Sequence, residues 1–193
     1  LARTGDIPAA ELELLITSLL KQSPDSFDDI YGSKKSGLDE TEYVFLQGNH
    51  LKERWQEESD KKTFTIAETG FGTGLNFLCA WKLWADSKAS ENANLFFLSV
   101  EKFPLSKRDL TKALRLWPNL KHESNELLNA YPPQPTSGMH RVYLDSGKVC
   151  LTLFFGEACE GFRQWACIPT ASDLKDSVSF GGASAKIDAW FLD

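Results

Sequence analysis

Short apolar runs alternate with amphipathic segments along much of this chain of 193 residues. Residues 63–69 ("TFTIAET") and 94–103 ("NLFFLSVEKF") are apolar and rich in β-branched or aromatic side chains, which predicts two buried strands. Residues 75–88 ("LNFLCAWKLWADSK") are apolar nearly all round and predict a buried helix. Residues 105–117 and 123–131 predict two further helices.

The second half of the chain continues this alternation. Residues 140–158 predict a hairpin that turns at "DSGK", and residues 160–168 predict a short helix. The polar, Gly/Ser-rich residues 172–186 predict a loop, and the apolar residues 187–193 ("IDAWFLD") predict a last buried strand. Strands that alternate with helices predict an α/β fold with a doubly wound, Rossmann-like sheet.

The N-terminal part of the chain has a different pattern. Residues 6–22 carry apolar side chains at helical spacing and predict a helix. We therefore expect an N-terminal helical extension over residues 1–26, followed by one domain over residues 27–193. Within the segment that precedes the first strong strand, residues 42–47 ("EYVFLQ") are the best candidate for an additional strand.

Composition narrows the class of protein. Apolar residues make up 42% of the chain and charged residues 25%, as in ordinary soluble domains. No apolar run reaches the roughly 18 to 20 residues of a membrane-spanning helix. The cysteines and histidines lack the spacing of metal ligands, so we expect reduced thiols, a cytoplasmic location and no metal. The net charge of −6 argues against nucleic-acid binding through a broad, positively charged surface.

Three glycines lie between the predicted strand at 63–69 and the helix that follows it. Gly70, Gly72 and Gly74 occupy the position where an open α/β sheet binds its ligand. Glycine permits a sharp turn and close approach of a ligand to the backbone. The spacing is G-x-G-x-G, with Leu75 where the dinucleotide fingerprint G-x-G-x-x-G has its third glycine.

Two acids accompany the glycines. Glu68 stands just before the loop, where a carboxylate favours a cationic ligand and disfavours a pyrophosphate. Glu101 ends the next strand, where an acid binds the two hydroxyls of a ribose. NAD sites have an acid at the same place, so Glu101 alone does not discriminate. The glycine spacing together with Glu68 favours S-adenosylmethionine over NAD. The alternative enzyme is an NAD-type oxidoreductase. A third interpretation is a glycine-rich turn that binds no ligand.

The stretches "AETGFGTGLNFL" and "LSVEKFPLSKRDL" resemble the methyltransferase domain of MnmC, the bifunctional bacterial enzyme that completes 5-methylaminomethyl-2-thiouridine at the tRNA wobble position. The resemblance extends to "FDDIYGSKKSGLDETEYVFLQGN", "HRVYLDSGKVCLTLFFGEA" and "IDAWFLD". It implies a class I methyltransferase fold, S-adenosylmethionine as methyl donor, and a tRNA that carries 5-aminomethyl-2-thiouridine. It also implies that an FAD-dependent oxidase domain is fused after the region matched here.

The resemblance also assigns site residues. It implies a cofactor site built from four short stretches, which are Glu68, Thr69, Gly70, Phe71, Gly72, Thr73, Gly74 and Asn76; Glu101 and Lys102; Gly156 and Glu157; and Gln47 and Asn49. Glu101 would bind the ribose, and Gly156 and Glu157 would lie beside the adenine. Asp193 matches the acid of the family's methyl-transfer motif and is the predicted catalytic residue.

The sequence departs from the family at its end. The family's "FLDGF" motif continues past the position of Asp193, where this sequence stops. We therefore expect a C-terminally incomplete sheet, truncated after its fourth strand, and little methyl transfer by these 193 residues alone. A non-catalytic partial domain is accordingly a second alternative. Activity of this chain equal to that of a longer chain would contradict the expectation.

Overall fold

The computed structural model describes residues 34–57, 61–166 and 187–192. The α-helices are α1 (Lys34–Glu40), α2 (Leu51–Glu57), α3 (Leu75–Ala85), α4 (Lys107–Leu114), α5 (Lys121–Ala130) and α6 (Ala158–Ala166). The strands are β1 (Thr63–Thr69), β2 (Asn94–Glu101), β3 (Gly138–Leu144), β4 (Val149–Phe155) and β5 (Ala189–Leu192). A π-helix (Thr41–Gln47) and 3₁₀ turns at Lys88–Glu91, Pro118–Leu120 and Asp145–Gly147 complete the elements of the described residues.

The described strands form one sheet in the order β3-β4-β2-β1-β5. β1 pairs in parallel with β2 on one side and with β5 on the other, and β2 pairs in parallel with β4. Among these described strands only β3 is antiparallel, because it is joined to β4 by the predicted hairpin. Asp145, Ser146 and Gly147 of that hairpin all have positive φ angles (49°, 54° and 92°), as tight hairpin turns require. The chain reverses its direction of winding at β1, which creates a crevice at the carboxyl ends of β1 and its neighbours.

Helices cover both faces of the sheet. On one face, the buried side chains of β1, β2 and β4 pack with α3, α4 and α5 in a large core that includes Phe64, Phe77 and Phe97. On the other face, Phe162 of α6 and Phe154 of β4 belong to a smaller buried cluster. Parallel strands buried on both faces read as nearly continuous apolar runs, as in β4, whose residues are all buried and of which only Thr152 is polar. The predicted α/β, doubly wound, Rossmann-like fold is therefore confirmed.

The segment before β1 differs from the prediction. The strand predicted over residues 42–47 is wrong, because these residues belong to the π-helix Thr41–Gln47. Thr41, Phe45 and Leu46 are buried whereas residues 42–44 are exposed, so burial recurs at a helical interval and not at every second residue. Packing of Phe45 against Phe191 of β5, with ring centroids 5.1 Å apart, outweighs the strand preference of Tyr, Val and Phe.

Some predictions fall on residues that the structure does not describe. The helix at 6–22, the proposed extension over 1–26, the loop at 172–186 and Asp193 all lie there. Within the described residues, no helix has both the length and the apolar character that a membrane crossing requires. Cys79, Cys150 and Cys159, the cysteines among these residues, are free thiols.

A buried aspartate fixes the entry into β5. Asp188 is 8% exposed, and its carboxylate accepts a hydrogen bond from the Thr65 backbone N–H at 2.9 Å and pairs with the Lys61 ammonium. The Asp188 backbone also joins β1, because its N–H donates to the Thr65 carbonyl at 2.8 Å. The guanidinium of Arg54 in α2 donates to the Asp188 carbonyl at 2.9 Å. This residue therefore ties β5 to β1 and to α2.

We expect Asp188→Ala to lower the free energy of unfolding by about 1 to 3 kcal/mol, because it leaves the buried Thr65 N–H without an acceptor. Asp188→Asn is the matched control. It retains an acceptor for that N–H and loses only an ion pair with a partly exposed lysine, which is worth about 1 kcal/mol or less. Urea denaturation measures both values. Equal losses in the two variants would contradict this account of Asp188.

Candidate cofactor site

The loop from Gly70 to Gly74 begins where β1 ends and leads into α3. Gly70, Gly72 and Gly74 all have positive φ angles, at 80°, 51° and 72°. L-amino acids with a side chain rarely adopt this region, so the backbone itself requires glycine-like freedom at these positions. Phe71, between the first two glycines, points into the core and is 3% exposed.

Two of these glycines meet different surroundings. A Cβ atom on Gly74 would lie 2.7 Å from the ring of Phe71, which must pass close to the backbone to stay buried. A Cβ atom on Gly72 would have nothing within 4 Å. Gly74 therefore serves packing within the protein, whereas Gly72 leaves an open space above the turn.

Each of the three glycine N–H groups donates to an oxygen of the protein. The Gly70 N–H donates to the Val100 carbonyl at 2.8 Å, and the Gly74 N–H donates to the Phe71 carbonyl at 2.7 Å. The Gly72 N–H donates to the carboxylate of Glu101 at 2.8 Å. The loop is thus fastened to β2 at two points before any ligand arrives.

Glu101 is half-buried at the carboxyl end of β2. One carboxylate oxygen accepts from the Gly72 N–H, and the other accepts from the Phe103 N–H at 2.7 Å. A carboxylate offers about four acceptor positions, so two backbone donors leave capacity for two more. The backbone carbonyl of Glu101 accepts from the Gly156 N–H at 2.9 Å, which brings the end of β4 to the same edge.

Glu68 lies on the same face of the sheet but deeper. Its side chain is fully buried, at 0% exposure. The carboxylate accepts from the Ser99 hydroxyl at 2.6 Å and from the side-chain amide of Asn76 at 3.1 Å. Asn76 is in the first turn of α3, and its amide carbonyl accepts from the hydroxyl of Thr41 at 2.7 Å. Direct contact of Glu68 and Asn76 with a cofactor stays a prediction, and the contacts observed are with the protein interior.

The remaining predicted residues surround the same edge. Lys102 and Glu157, both more than half exposed, form an ion pair at 2.7 Å. Asn49 donates to the carbonyls of Phe45 and Trp190, at 3.0 and 3.2 Å. These bonds place the end of the π-helix at the carboxyl end of β5, while Gln47 beside it is exposed. Thr69 ends β1 and Thr73 lies in the loop, both partly exposed.

Sequence reasoning missed Thr41, Ser99 and Tyr131. Ser99 lies directly opposite Glu68 in the β1–β2 register, so aligning the two predicted strands would have found it. Thr41 carried no signal, because its partner is 35 residues away.

Burial, followed by the charge of Glu101, raises the pKa of Tyr131 to about 12. Its hydroxyl is therefore neutral at physiological pH and donates to the Leu105 carbonyl at 3.0 Å.

A cavity of about 830 Å³ lies on the outer side of the π-helix, and its described lining includes Tyr43, Gln47 and Leu83. Of the predicted site residues, only Gln47 is among this described lining. This cavity and the loop are therefore two different candidate places for a ligand. We favour the loop because it has an open side at Gly72 and an oriented carboxylate.

No group of His, Cys, Asp and Glu side chains in the described residues could hold a metal ion.

The two glycines should respond differently to alanine. Gly72→Ala adds a methyl group in open space, so only the strain of a positive φ lowers the free energy of unfolding, by roughly 1 to 2 kcal/mol. Gly74→Ala adds the clash with Phe71, which costs about 1 to 3 kcal/mol more. Chemical denaturation of the two variants beside the parent chain tests the difference. A larger loss for Gly72→Ala would show that the loop is packed differently.

Comparison with known proteins gives relatives but no family model, since none of the models searched matches the chain. The relatives bear the name tRNA 5-methylaminomethyl-2-thiouridine biosynthesis bifunctional protein MnmC. The chain is 47% identical to the protein from Marinomonas sp. (strain MWYL1) and 48% identical to that from Pseudomonas fluorescens (strain Pf0-1), in each case over 167 residues. It is 46% identical to that from Vibrio vulnificus (strain YJ016) over 173 residues.

These matches cover most of this chain and a small part of each relative. They span 86% of the chain for the first two relatives and 88% for the third, but 22% and 23% of the relatives' own length. Among solved structures, MNMC2 from Aquifex aeolicus aligns with a TM-score of 0.47 and 19% identity, over 65% of this chain and 34% of that one. The sequence matches confirm that the chain is related to MnmC, over a portion that makes up less than a quarter of those proteins.

Proposed function

We propose that the chain binds S-adenosylmethionine at the glycine loop and methylates the amine of 5-aminomethyl-2-thiouridine at the wobble position of tRNA. The relatives' name supports the substrate class, because it describes the biosynthesis of a nucleoside that carries a methylamino group. Methylation of the corresponding primary amine yields that group. The name belongs to proteins several times longer than this chain, so the activity is a proposal for the chain itself.

The proposal rests mainly on the hydrogen-bond acceptors of the three glycine N–H groups. A dinucleotide site needs backbone N–H groups that face a pyrophosphate. Here the N–H groups of Gly70, Gly72 and Gly74 donate to protein oxygens. The acceptor at Gly72 is the carboxylate of Glu101, whose negative charge would repel a phosphate. This arrangement favours a ligand with a ribose and a cationic group over one with a diphosphate.

The residues present fit S-adenosylmethionine. The open side of Gly72 admits a ligand against the backbone, and Glu101 retains acceptor capacity for the two ribose hydroxyls. We propose that Thr69, Phe71 and Thr73 shape the loop around the ligand together with the three glycines. Gly156, Glu157 and Lys102 would lie beside the adenine, and Gln47 and Asn49 would approach from the π-helix side.

When bound, S-adenosylmethionine supplies an electrophilic methyl group on a positively charged sulfur. The protein must present the substrate amine in its neutral form, although an alkylamine has a reference pKa near 10.4. We propose that Asp193, which lies outside the described residues, orients this amine. A carboxylate with a reference pKa near 3.9 is a weak base, so positioning is its larger contribution. Alignment of nitrogen, carbon and sulfur then supplies much of the rate.

The cofactor assignment predicts ligand selectivity. Isothermal titration calorimetry of the chain with S-adenosylmethionine, S-adenosylhomocysteine and NAD should show binding of the first two and none of NAD. The physical reason is that the Glu101 carboxylate already accepts the hydrogen bond of the Gly72 N–H. Tighter binding of NAD than of S-adenosylhomocysteine would overturn the proposal in favour of a dinucleotide enzyme.

Glu101→Ala should weaken binding of S-adenosylhomocysteine by roughly 1.5 to 3 kcal/mol, the range for hydrogen bonds to a charged group. The control is Glu91→Ala, since Glu91 is exposed and lies just before the amino end of β2, away from the carboxyl edge. Calorimetry gives the affinities, and circular dichroism checks the fold. A folded Glu101→Ala protein that binds like the parent chain would show that Glu101 is not the ribose ligand.

A further inference from the structure

We propose that Glu68 is a positioning residue that acts through Asn76 and Thr41 and does not itself contact the methyl donor. Its buried carboxylate fixes the π-helix beside the glycine loop. The consequence for ligand affinity rests on the proposed function, whereas the structural link does not. This role differs from the direct electrostatic contact expected from the sequence.

The link is a chain of short hydrogen bonds across four elements. Ser99 of β2 donates to Glu68 of β1 at 2.6 Å, and Asn76 of α3 donates to Glu68 at 3.1 Å. Thr41, the first residue of the π-helix, donates to Asn76 at 2.7 Å. Glu68 is 0% exposed and Thr41 is 3% exposed, while Asn76 between them is half-buried. Hydrogen bonds in such surroundings strengthen one another and rigidify the groups that they join.

The carboxylate sets the direction of the whole chain of hydrogen bonds. The amide of Asn76 turns its NH₂ group toward Glu68, whose carboxylate oxygen accepts from it. The amide oxygen of Asn76 then faces Thr41, whose hydroxyl must donate. A group that cannot donate at position 41 would leave the amide oxygen of half-buried Asn76 without this partner, which weakens the link. The orientation of the first turn of α3 is therefore coupled to the placement of Thr41.

The segment that begins at Thr41 is fixed at its other end as well. Asn49 donates to the Trp190 carbonyl of β5, and the ring of Phe45 packs on Phe191. The π-helix therefore runs from the amino end of α3 to the carboxyl end of β5. Gln47, which the resemblance places near the cofactor, lies between these two attachments. Release of the Thr41 attachment should let this segment shift relative to the glycine loop.

Thr41→Val and Thr41→Ser form a matched pair that tests the link. Valine has nearly the shape of threonine but no hydroxyl, and serine keeps the hydroxyl. In the ligand-free chain, hydrogen–deuterium exchange of the amides of residues 41–49 should accelerate in Thr41→Val and stay near the parent rate in Thr41→Ser. Exchange in β1 and β2 should not change. Unchanged exchange over residues 41–49 in Thr41→Val would overturn the proposal.

Glu68→Gln and Glu68→Ala separate positioning from direct charge contact. The glutamine oxygen can accept from Asn76 while its NH₂ group donates to the Ser99 hydroxyl, which can rotate to accept. We expect Glu68→Gln to bind S-adenosylhomocysteine within about twofold of the parent chain. Thr41→Val should weaken binding roughly 3- to 10-fold, as the loss of one hydrogen bond predicts, and Glu68→Ala by more. Glu68→Gln as weak as Glu68→Ala would mean that the charge itself contacts the ligand.

The two measurements distinguish failure of this inference from failure of the proposed function. Absence of S-adenosylhomocysteine binding by the parent chain would refute the cofactor assignment, while the exchange experiment would still decide whether Glu68 and Thr41 hold the π-helix. Should Glu68→Ala fail to fold, the Thr41 pair decides the question alone. Normal binding by Thr41→Val with accelerated exchange would overturn the claimed effect on affinity.

Discussion

A buried carboxylate constrains the edge of the sheet where the candidate site lies. Glu68 is fully enclosed one residue before the end of β1. A carboxyl group in such a place is costly unless hydrogen-bond partners surround it. The donors come from β2 and from the first turn of α3, so these elements must meet at the glycine loop in one arrangement. The same contacts extend to the π-helix, because Asn76 donates its NH₂ group to Glu68 while its amide oxygen accepts from Thr41.

The two acids at this edge, Glu68 and Glu101, differ in burial and therefore in role. In the register of β1 and β2, Glu68 is opposite Ser99, and Glu101 lies two residues further along β2 on the same face. Two residues correspond to about 6.6 Å along a strand, which carries Glu101 past the end of β1 to the level of the loop. Glu68 is consequently surrounded by protein, whereas Glu101 reaches the Gly72 N–H and the crevice. Similar acids at neighbouring strand ends thus acquire an interior role and a surface role.

Much of this arrangement could be predicted from the sequence. The apolar runs at 63–69 and 94–103 identified β1 and β2, and the glycine spacing located the loop between β1 and α3. The π-helix could not be predicted, because Tyr43, Val44 and Phe45 favour strands locally, whereas the segment packs on β5 and α3 as a helix. The burial of Glu68 could not be predicted from the sequence either. Whether a residue near a strand end is enclosed depends on which neighbouring strand extends beyond it, and that is a property of register.

The glycine pattern by itself does not determine which ligand class a loop of this kind prefers. Glycines allow the positive φ angles, but the direction in which each N–H points decides whether the loop can hold an anion. In this loop one N–H serves the loop itself, one serves the β2 backbone and one serves Glu101. The Glu101 carboxylate is thereby oriented by backbone donors before a ligand is present, and such preorganisation lowers the entropic cost of binding. The remaining acceptor positions of Glu101, and not the glycine N–H groups, therefore offer a ligand at this edge an oriented polar contact.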